Sequence, residues 1–172
     1  MNPTIRPYRP ADAAAVTAIY GHHVVHGTAS YETEPPGEAE MAGRLAAVVA
    51  AGWPALVAEV DGEVAGYAYA TQYRPRPSYA FACEDSIYVD QALVGRGIGK
   101  ALLASLIDAC EAFGFRQMVA VVGGAEPASI ALHEALGFRE VGRFPGLGWK
   151  HGRWLDSVYL QRSLGPGKTS PP

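Results

Sequence analysis

Cysteine is scarce in this 172-residue chain: only Cys83 and Cys110 occur, without CxxC or Cys/His ligand spacing. That excludes a disulfide-stapled scaffold and a zinc-ligand set, so both thiols read as filler in a reduced setting. Long hydrophobic runs are also missing. No apolar stretch approaches the roughly 20 residues of a membrane span. The opening Met1-Asn2-Pro3-Thr4-Ile5-Arg6 lacks the apolar core of a secretory signal. A cytoplasmic protein with no membrane partner is expected. Nor is there an excess of positive charge. Fourteen basic residues against 17 acidic give a net charge of −3, and the basic residues are scattered. A nucleic-acid partner is therefore not expected, and a small or anionic ligand fits better than a polyanion. His22 and His26 lie one helical turn apart, but no carboxylate or cysteine nearby completes a metal set, so no metal is predicted.

What is present suits one globular domain: 49% hydrophobic and 18% charged residues, in a chain long enough to bury roughly 70% of its unfolded surface. Thr4–Pro7 reads as a short strand. Asp12 stands as N-cap before a helix over Ala13–Val25, and a second helix over Glu38–Ala51 ends at Gly52. Ala55–Val60 and Glu63–Ala70 are β-rich runs joined by Asp61-Gly62, a strong hairpin signal. Phe81–Val89 is a further strand. After a glycine turn, Ile98, Leu102, Leu106 and Cys110 recur at four-residue spacing and predict a helix over Ala101–Phe113. Gln117–Val122 is a strand and Ser129–Leu136 a short helix stopped by Gly137. Arg139–Trp149 and Arg153–Arg162 form a closing hairpin across His151-Gly152. Residues 1–163 make the domain, and 164–172, rich in Pro and Gly, are expected to be a disordered tail. The order of elements predicts a mixed α/β domain without internal repeats.

The glycine turn Val94-Gly95-Arg96-Gly97-Ile98-Gly99-Lys100 precedes a helix. Several backbone amides at a helix N-terminus suit phosphate, and glycines permit close approach. Arg96 and Lys100 add charge-assisted contacts. A P-loop ending at Gly99-Lys100 needs glycine at 94 and Ser or Thr at 101, where Val94 and Ala101 stand. A GxGxxG needs glycine at 100 or 102, where Lys100 and Leu102 stand. The remaining alternative is a glycine-rich turn that binds nothing.

Strand, GxGxG turn and amphipathic helix, preceded by two helices and a hairpin and followed by a strand, a short helix and a closing hairpin, resemble the GNAT acyltransferase fold over residues 4–163. That fold is a mixed, mostly antiparallel twisted sheet of about seven strands flanked by four helices. The family's Gln/Arg-x-x-Gly-x-Gly pattern falls on Val94, Arg96, Gly97 and Gly99, with Val94 departing from it. Three further segments resemble the phosphinothricin and methionine sulfoximine acetyltransferase branch. They are Leu56-Val57-Ala58-Glu59-Val60-Asp61-Gly62-Glu63-Val64-Ala65-Gly66, Glu84-Asp85-Ser86-Ile87-Tyr88-Val89, and His133-Glu134-Ala135-Leu136-Gly137-Phe138 followed by Trp149-Lys150-His151-Gly152-Arg153-Trp154-Leu155-Asp156.

The resemblance implies acetyl-CoA as cosubstrate, a small amino-acid-like substrate acetylated by direct transfer, and a homodimer. It places Glu84 as general base or ammonium anchor, and Ile87, Tyr88 and Val89 along the pantetheine arm. Gly95, Arg96, Gly97, Ile98, Gly99 and Lys100 meet the pyrophosphate. His133 stands where relatives carry a tyrosine that protonates the departing thiolate, with a structural histidine as the other reading. Glu126 replaces an asparagine near the phosphopantetheine, and Ala135 lies where backbone passes the pantetheine. Arg74-Pro75-Arg76-Pro77 presents two guanidinium forks on stiffened backbone, suited to a carboxylate, or is simply a solvated turn. Tyr31 and Tyr79 are candidate pocket walls. Acetylation of another small amine or a protein N-terminus, and a CoA-binding regulator without turnover, are the alternatives.

Overall fold

The computed structural model describes residues 2–172. One sheet of seven strands has the spatial order β1 (Thr4–Pro7), β2 (Ala55–Val60), β3 (Glu63–Gln72), β4 (Ala82–Val89), β5 (Gln117–Gly123), β7 (Arg153–Ser163) and β6 (Arg139–Lys150). The helices are α1 (Ala13–His26), α2 (Glu38–Ala50), α3 (Ile98–Phe113) and α4 (Pro127–Glu134). Every ladder is antiparallel except β4–β5. This is the mixed α/β architecture that the pattern of elements predicts. Among the described residues no helix is long and apolar enough to cross a membrane.

The two hairpin signals act through the same geometry. Asp61 and Gly62 have φ of 53° and 85°, and His151 and Gly152 have 52° and 70°. Two consecutive positive φ values make the tight turn whose twist matches the flanking strands. The sheet is covered on both faces. The four-residue apolar stripe of α3 buries Leu102, Leu106 and Cys110 against Met118 and Leu160, and α1 and α2 bury Val16, Val24 and Leu45 against Val57 and Tyr67. Truncating a core leucine such as Leu106 to Ala costs about 2–5 kcal/mol.

Three local features add to the reading of the sequence. Asp12 is the N-cap residue of α1, but its side chain makes no cap hydrogen bond. Its carboxylate instead accepts from Arg6 at 2.8 and 2.7 Å and from the Arg9 amide at 2.7 Å, tying β1 to the start of the helix. The helix after the glycine turn starts at Ile98, because Gly97 at φ 83° already serves as its N-cap. The segment expected as a disordered tail is held at several points. Leu164 is fully buried, and Arg116 donates to the carbonyls of Gly167 at 3.4 Å and Pro171 at 2.8 Å. Composition alone does not reveal that guanidinium.

One topological feature creates the cleft. β4 and β5 pair only at Ala82↔Gln117, Cys83↔Met118 and Glu84↔Val119. Beyond Glu84, β4 continues beside β3 to Val89 while β5 continues beside β7 to Gly123. The sheet therefore splits in its middle.

Candidate active site

The split leaves backbone groups without a ladder partner, and the register tells which. Asp90 donates its amide to Ala65, and Tyr73 donates to Ala82, both at 2.9 Å. In an antiparallel ladder both polar groups of a residue face the same neighbour. Even-numbered residues of β4 thus bond to β3, odd-numbered ones face β5, and beyond the Glu84↔Val119 pair Ile87 and Val89 turn their amides and carbonyls toward the cleft. Within the predicted segment Ile87-Tyr88-Val89, the Tyr88 backbone faces the other way. The Val89 carbonyl is already engaged, accepting from His23 Nε2 at 2.8 Å.

A cavity of about 260 Å³ fills the split, lined by Glu84, Asp85 and Ile87 from β4, Val122 from β5, Glu126 and His133 at α4, and Tyr31 from the α1–α2 loop. Glu84 lies at the point of divergence, 3.8 Å from Arg74. Burial raises its pKa above the ordinary carboxylate range; Arg74 pulls it back down and the charge of Asp85 pushes it further up. A carboxylate that is both partly desolvated and reachable is suited to proton transfer near neutrality.

His133 is 2% exposed. Its Nδ1 donates to the Ser129 carbonyl at 2.7 Å, and Nε2 lies 3.0 Å from Asp85 Oδ2. Burial lowers the His133 pKa, while the hydrogen bond and charge of Asp85 and the Ser129 carbonyl raise it by more, so the net shift is upward. Of the two readings of His133, proton donor to a departing thiolate or structural histidine, this geometry matches the second. A carbonyl can only accept, so Nδ1 keeps its proton, and Nε2 is committed to Asp85. The imidazole and carboxylate form a buried pair that locks α4 to β4.

At the glycine turn, Gly95 and Gly97 have φ of 81° and 83°, and no atom lies within 4 Å of where a side chain would begin on either. The backbone is open on that side, at the N-terminus of α3. Gly99 differs: a Cβ there would meet Leu132 at 3.4 Å and Val89 at 3.7 Å, ordinary van der Waals contacts, so neither space nor backbone conformation demands glycine at this position. Arg96 and Lys100 are exposed beside the turn.

The Arg-Pro loop divides. Gln72 Nε2 donates to the carbonyls of Arg74 at 2.6 Å and Arg76 at 3.0 Å, fixing the loop's backbone between Pro75 and Pro77. Arg74 stacks 4.4 Å over the Tyr73 ring beside Glu84, and Arg76 is exposed. Tyr31 lines the cavity as expected. Tyr79 does not; it packs edge-on against Tyr73 at 5.5 Å. Ala135 lies in a separate surface depression with Gly137, Arg139 and Arg162, outside the cleft. His22 and His26 rings approach to 4.8 Å, but among the described residues no group of three His, Cys, Asp or Glu is placed to hold a metal.

Asp85 and Ser157 were not legible as site residues. The alternation of a strand could have exposed Asp85, because consecutive acids on a buried strand put one carboxylate into the core, where it needs a partner. Ser157 gives no such signal; it is buried and bonds the Tyr31 hydroxyl at 2.8 Å from a strand far away in sequence.

The family model described as "Acetyltransferase (GNAT) family" matches residues 18–138. The chain is 49% identical over 170 residues to a phosphinothricin N-acetyltransferase of Alcaligenes faecalis, covering 98% of this chain and 86% of that protein. It is 38% identical over 161 residues to an L-methionine sulfoximine/L-methionine sulfone acetyltransferase of Salmonella typhimurium (strain LT2), covering 94% of each. Among solved structures, a GNAT superfamily phosphinothricin acetyltransferase from Sinorhizobium meliloti in complex with AcCoA superposes with a TM-score of 0.98. It shares 50% identity, over 100% of this chain and 94% of that one.

Proposed function

The chain belongs to the GNAT acetyltransferase family and is an acyltransferase, and on that premise we propose that it acetylates the α-amino group of a small amino-acid-like substrate. The substrate is of the phosphinothricin, methionine sulfoximine or methionine sulfone type, acetyl-CoA is the donor, and transfer is direct within a ternary complex. The observation that carries this reading is Glu84, a half-buried carboxylate at the mouth of the split between β4 and β5, with the Arg74 guanidinium 3.8 Å away. An acid beside a cation matches the two ends of a free amino acid.

The residues present fit acetyl-CoA, which supplies an acetyl group activated as a thioester. The unpaired backbone groups of Ile87 accept an amide-bearing arm as an added strand. The open amides from Gly95 to Lys100, at the positive end of α3, suit the pyrophosphate, with Arg96 and Lys100 beside them. Glu126, at the start of α4, borders the same cavity. An α-amino group with pKa ~7.7–8.0 is only about a tenth to a fifth neutral at pH 7, so Glu84 removes its proton. Arg74 holds the substrate carboxylate, and Tyr31 closes the opposite wall.

Inactivation of toxic glutamate or methionine analogues in the cytoplasm is the corresponding role. A homodimer is favoured by the apolar surface of the outer hairpin, where Val141, Phe144, Leu147, Trp149 and Trp154 are all exposed. The decisive experiment is kcat/KM by thiol release across amino acids, simple amines and peptides at saturating acetyl-CoA. Preference for free amino acids supports the reading. Preference for peptides supports protein N-terminal acetylation, and no thiol release with any amine supports a CoA-binding regulator.

A further inference from the structure

The loop between α1 and α2, residues 27–37, supplies Ala29 and Tyr31 to the cavity wall, yet it has no regular structure of its own beyond bends. Its position is imposed from the sheet. A Cβ on Gly123 would stand 2.3 Å from the Thr28 carbonyl oxygen, one on Gly124 2.5 Å from Thr28 Oγ1, and one on Gly148 2.6 Å from the Tyr31 ring. The end of β5 and the end of β6 are hollowed by glycine where the loop crosses them. The Tyr31 hydroxyl then bonds Ser157 Oγ at 2.8 Å and accepts from the Gly124 amide at 3.3 Å.

Beneath the loop lies an ammonium. Lys150, the last residue of β6, is only 5% exposed, and its Nζ donates to the Ser30 carbonyl at 2.7 Å. Next to it, His151 Nε2 donates to the Gly27 carbonyl at 3.0 Å. Burying a lysine head is unfavourable unless it is compensated, and an apolar side chain of similar volume would cost less. Burial lowers the Lys150 pKa on balance, and what offsets it comes from the loop itself: the Ser30 carbonyl accepts the bond, and the charge of Glu32 favours the ammonium form. Glu32 is in turn held by Arg44 of α2 and by Tyr20 of α1. Ser30 sits between the two lining residues, so fixing its carbonyl fixes both.

We propose that Lys150 is a positioning residue for substrate recognition, holding the α1–α2 loop through the Ser30 carbonyl so that Tyr31 forms the amino-acid side of the cavity. This inference rests on the amino-acid acetyltransferase reading. The loop that Lys150 holds crosses the ends of β5 and β6 and contributes no residue to the glycine turn assigned to the donor's pyrophosphate, so its displacement is expected to act on the amino acid first.

The test is steady-state kinetics of Lys150→Met and His151→Ala with both substrates varied. Loss of a hydrogen bond from a charged donor raises the amino-acid KM of Lys150→Met about tenfold or more, while the acetyl-CoA KM stays at the wild-type value. His151→Ala, at an exposed site, gives a smaller shift with the same selectivity. Equal increases in both KM values, or an unchanged amino-acid KM with only a lower Tm, overturn the proposal. Should Lys150→Met not fold, His151→Ala decides: an unchanged amino-acid KM there overturns it. If the wild-type protein turns over no amino acid at all, the functional reading itself has failed, which no result with the variants can imitate.

Discussion

Glu84 and Asp85 are consecutive residues whose carboxylates occupy opposite faces of β4, the first 3.8 Å from Arg74 and the second 3.0 Å from His133. Strand alternation separates them, and the environments then diverge. Glu84 keeps access to the cleft, whereas Asp85 is spent on a buried pair.

Glu84 is therefore the group whose loss should abolish proton removal. Glu84→Gln keeps the side chain's shape but cannot take up a proton, and kcat/KM should fall by about 10²–10⁴. Acetyl-CoA binding, measured by calorimetry, should stay at the wild-type level. Retention of wild-type turnover would remove Glu84 from the mechanism.

The acid limb of the pH profile should respond to Arg74. Glu84 works as the ionised base, and burial, the first cause of its shift, raises its pKa while Arg74 lowers it. Removing the guanidinium takes away the lowering influence, so Arg74→Ala should move the acid limb of kcat/KM to higher pH. It should also raise the amino-acid KM more than the acetyl-CoA KM. Arg76→Ala should do much less, because Arg74 and not Arg76 pairs with Glu84 and shifts its titration. An acid limb displaced to lower pH, or equal effects of the two variants, contradicts this geometry.

Gly97 should be required for the donor alone. With φ of 83° it occupies left-handed space, so Gly97→Ala introduces strain of about 1–2 kcal/mol at the N-cap of α3. Titration calorimetry should show weaker acetyl-CoA binding, with the amino-acid KM unaltered. Unchanged donor affinity would mean that the turn is only a connector.

His133 should reveal itself in stability. Replacing it with Phe strands the buried Asp85 carboxylate, at a cost of about 3–5 kcal/mol near neutral pH. The folded-state pKa of His133 is raised, so its contribution is complete below about pH 6.5, the unfolded value, and is lost as pH rises through the raised value. Urea unfolding over a pH series should show that decline in the wild type and not in His133→Phe. A wild-type stability independent of pH across this window would refute the coupling.

The order of elements was open to reading because each rests on local chemistry. Asp61-Gly62 between two β-rich runs carries the positive φ values of a tight hairpin turn, and the Ile98, Leu102, Leu106, Cys110 stripe selects one helical face. Boundaries slipped where a neighbour intervened, as when Gly97 drew Ile98 into the helix. Among the candidate site residues, Glu84 and Ile87 line the split because they lie on β4, Glu126 because it follows β5, and Arg74 stands beside Glu84, while Tyr31 is brought in from the α1–α2 loop. Tyr79 and Ala135 do not line the split, since Tyr73 and the far end of α4 claim them.

By itself, then, the sequence determined the secondary elements, the glycine turn and the carboxylate on the central strand, all of which follow from backbone preference and periodicity over a few residues. Only the tertiary structure decided that β4 and β5 separate after Glu84, that Asp85 takes both the burial and the histidine, and that Lys150 reaches the Ser30 carbonyl 120 positions away. Those outcomes depend on which chain segments meet in space, and no local pattern encodes a partner that distant.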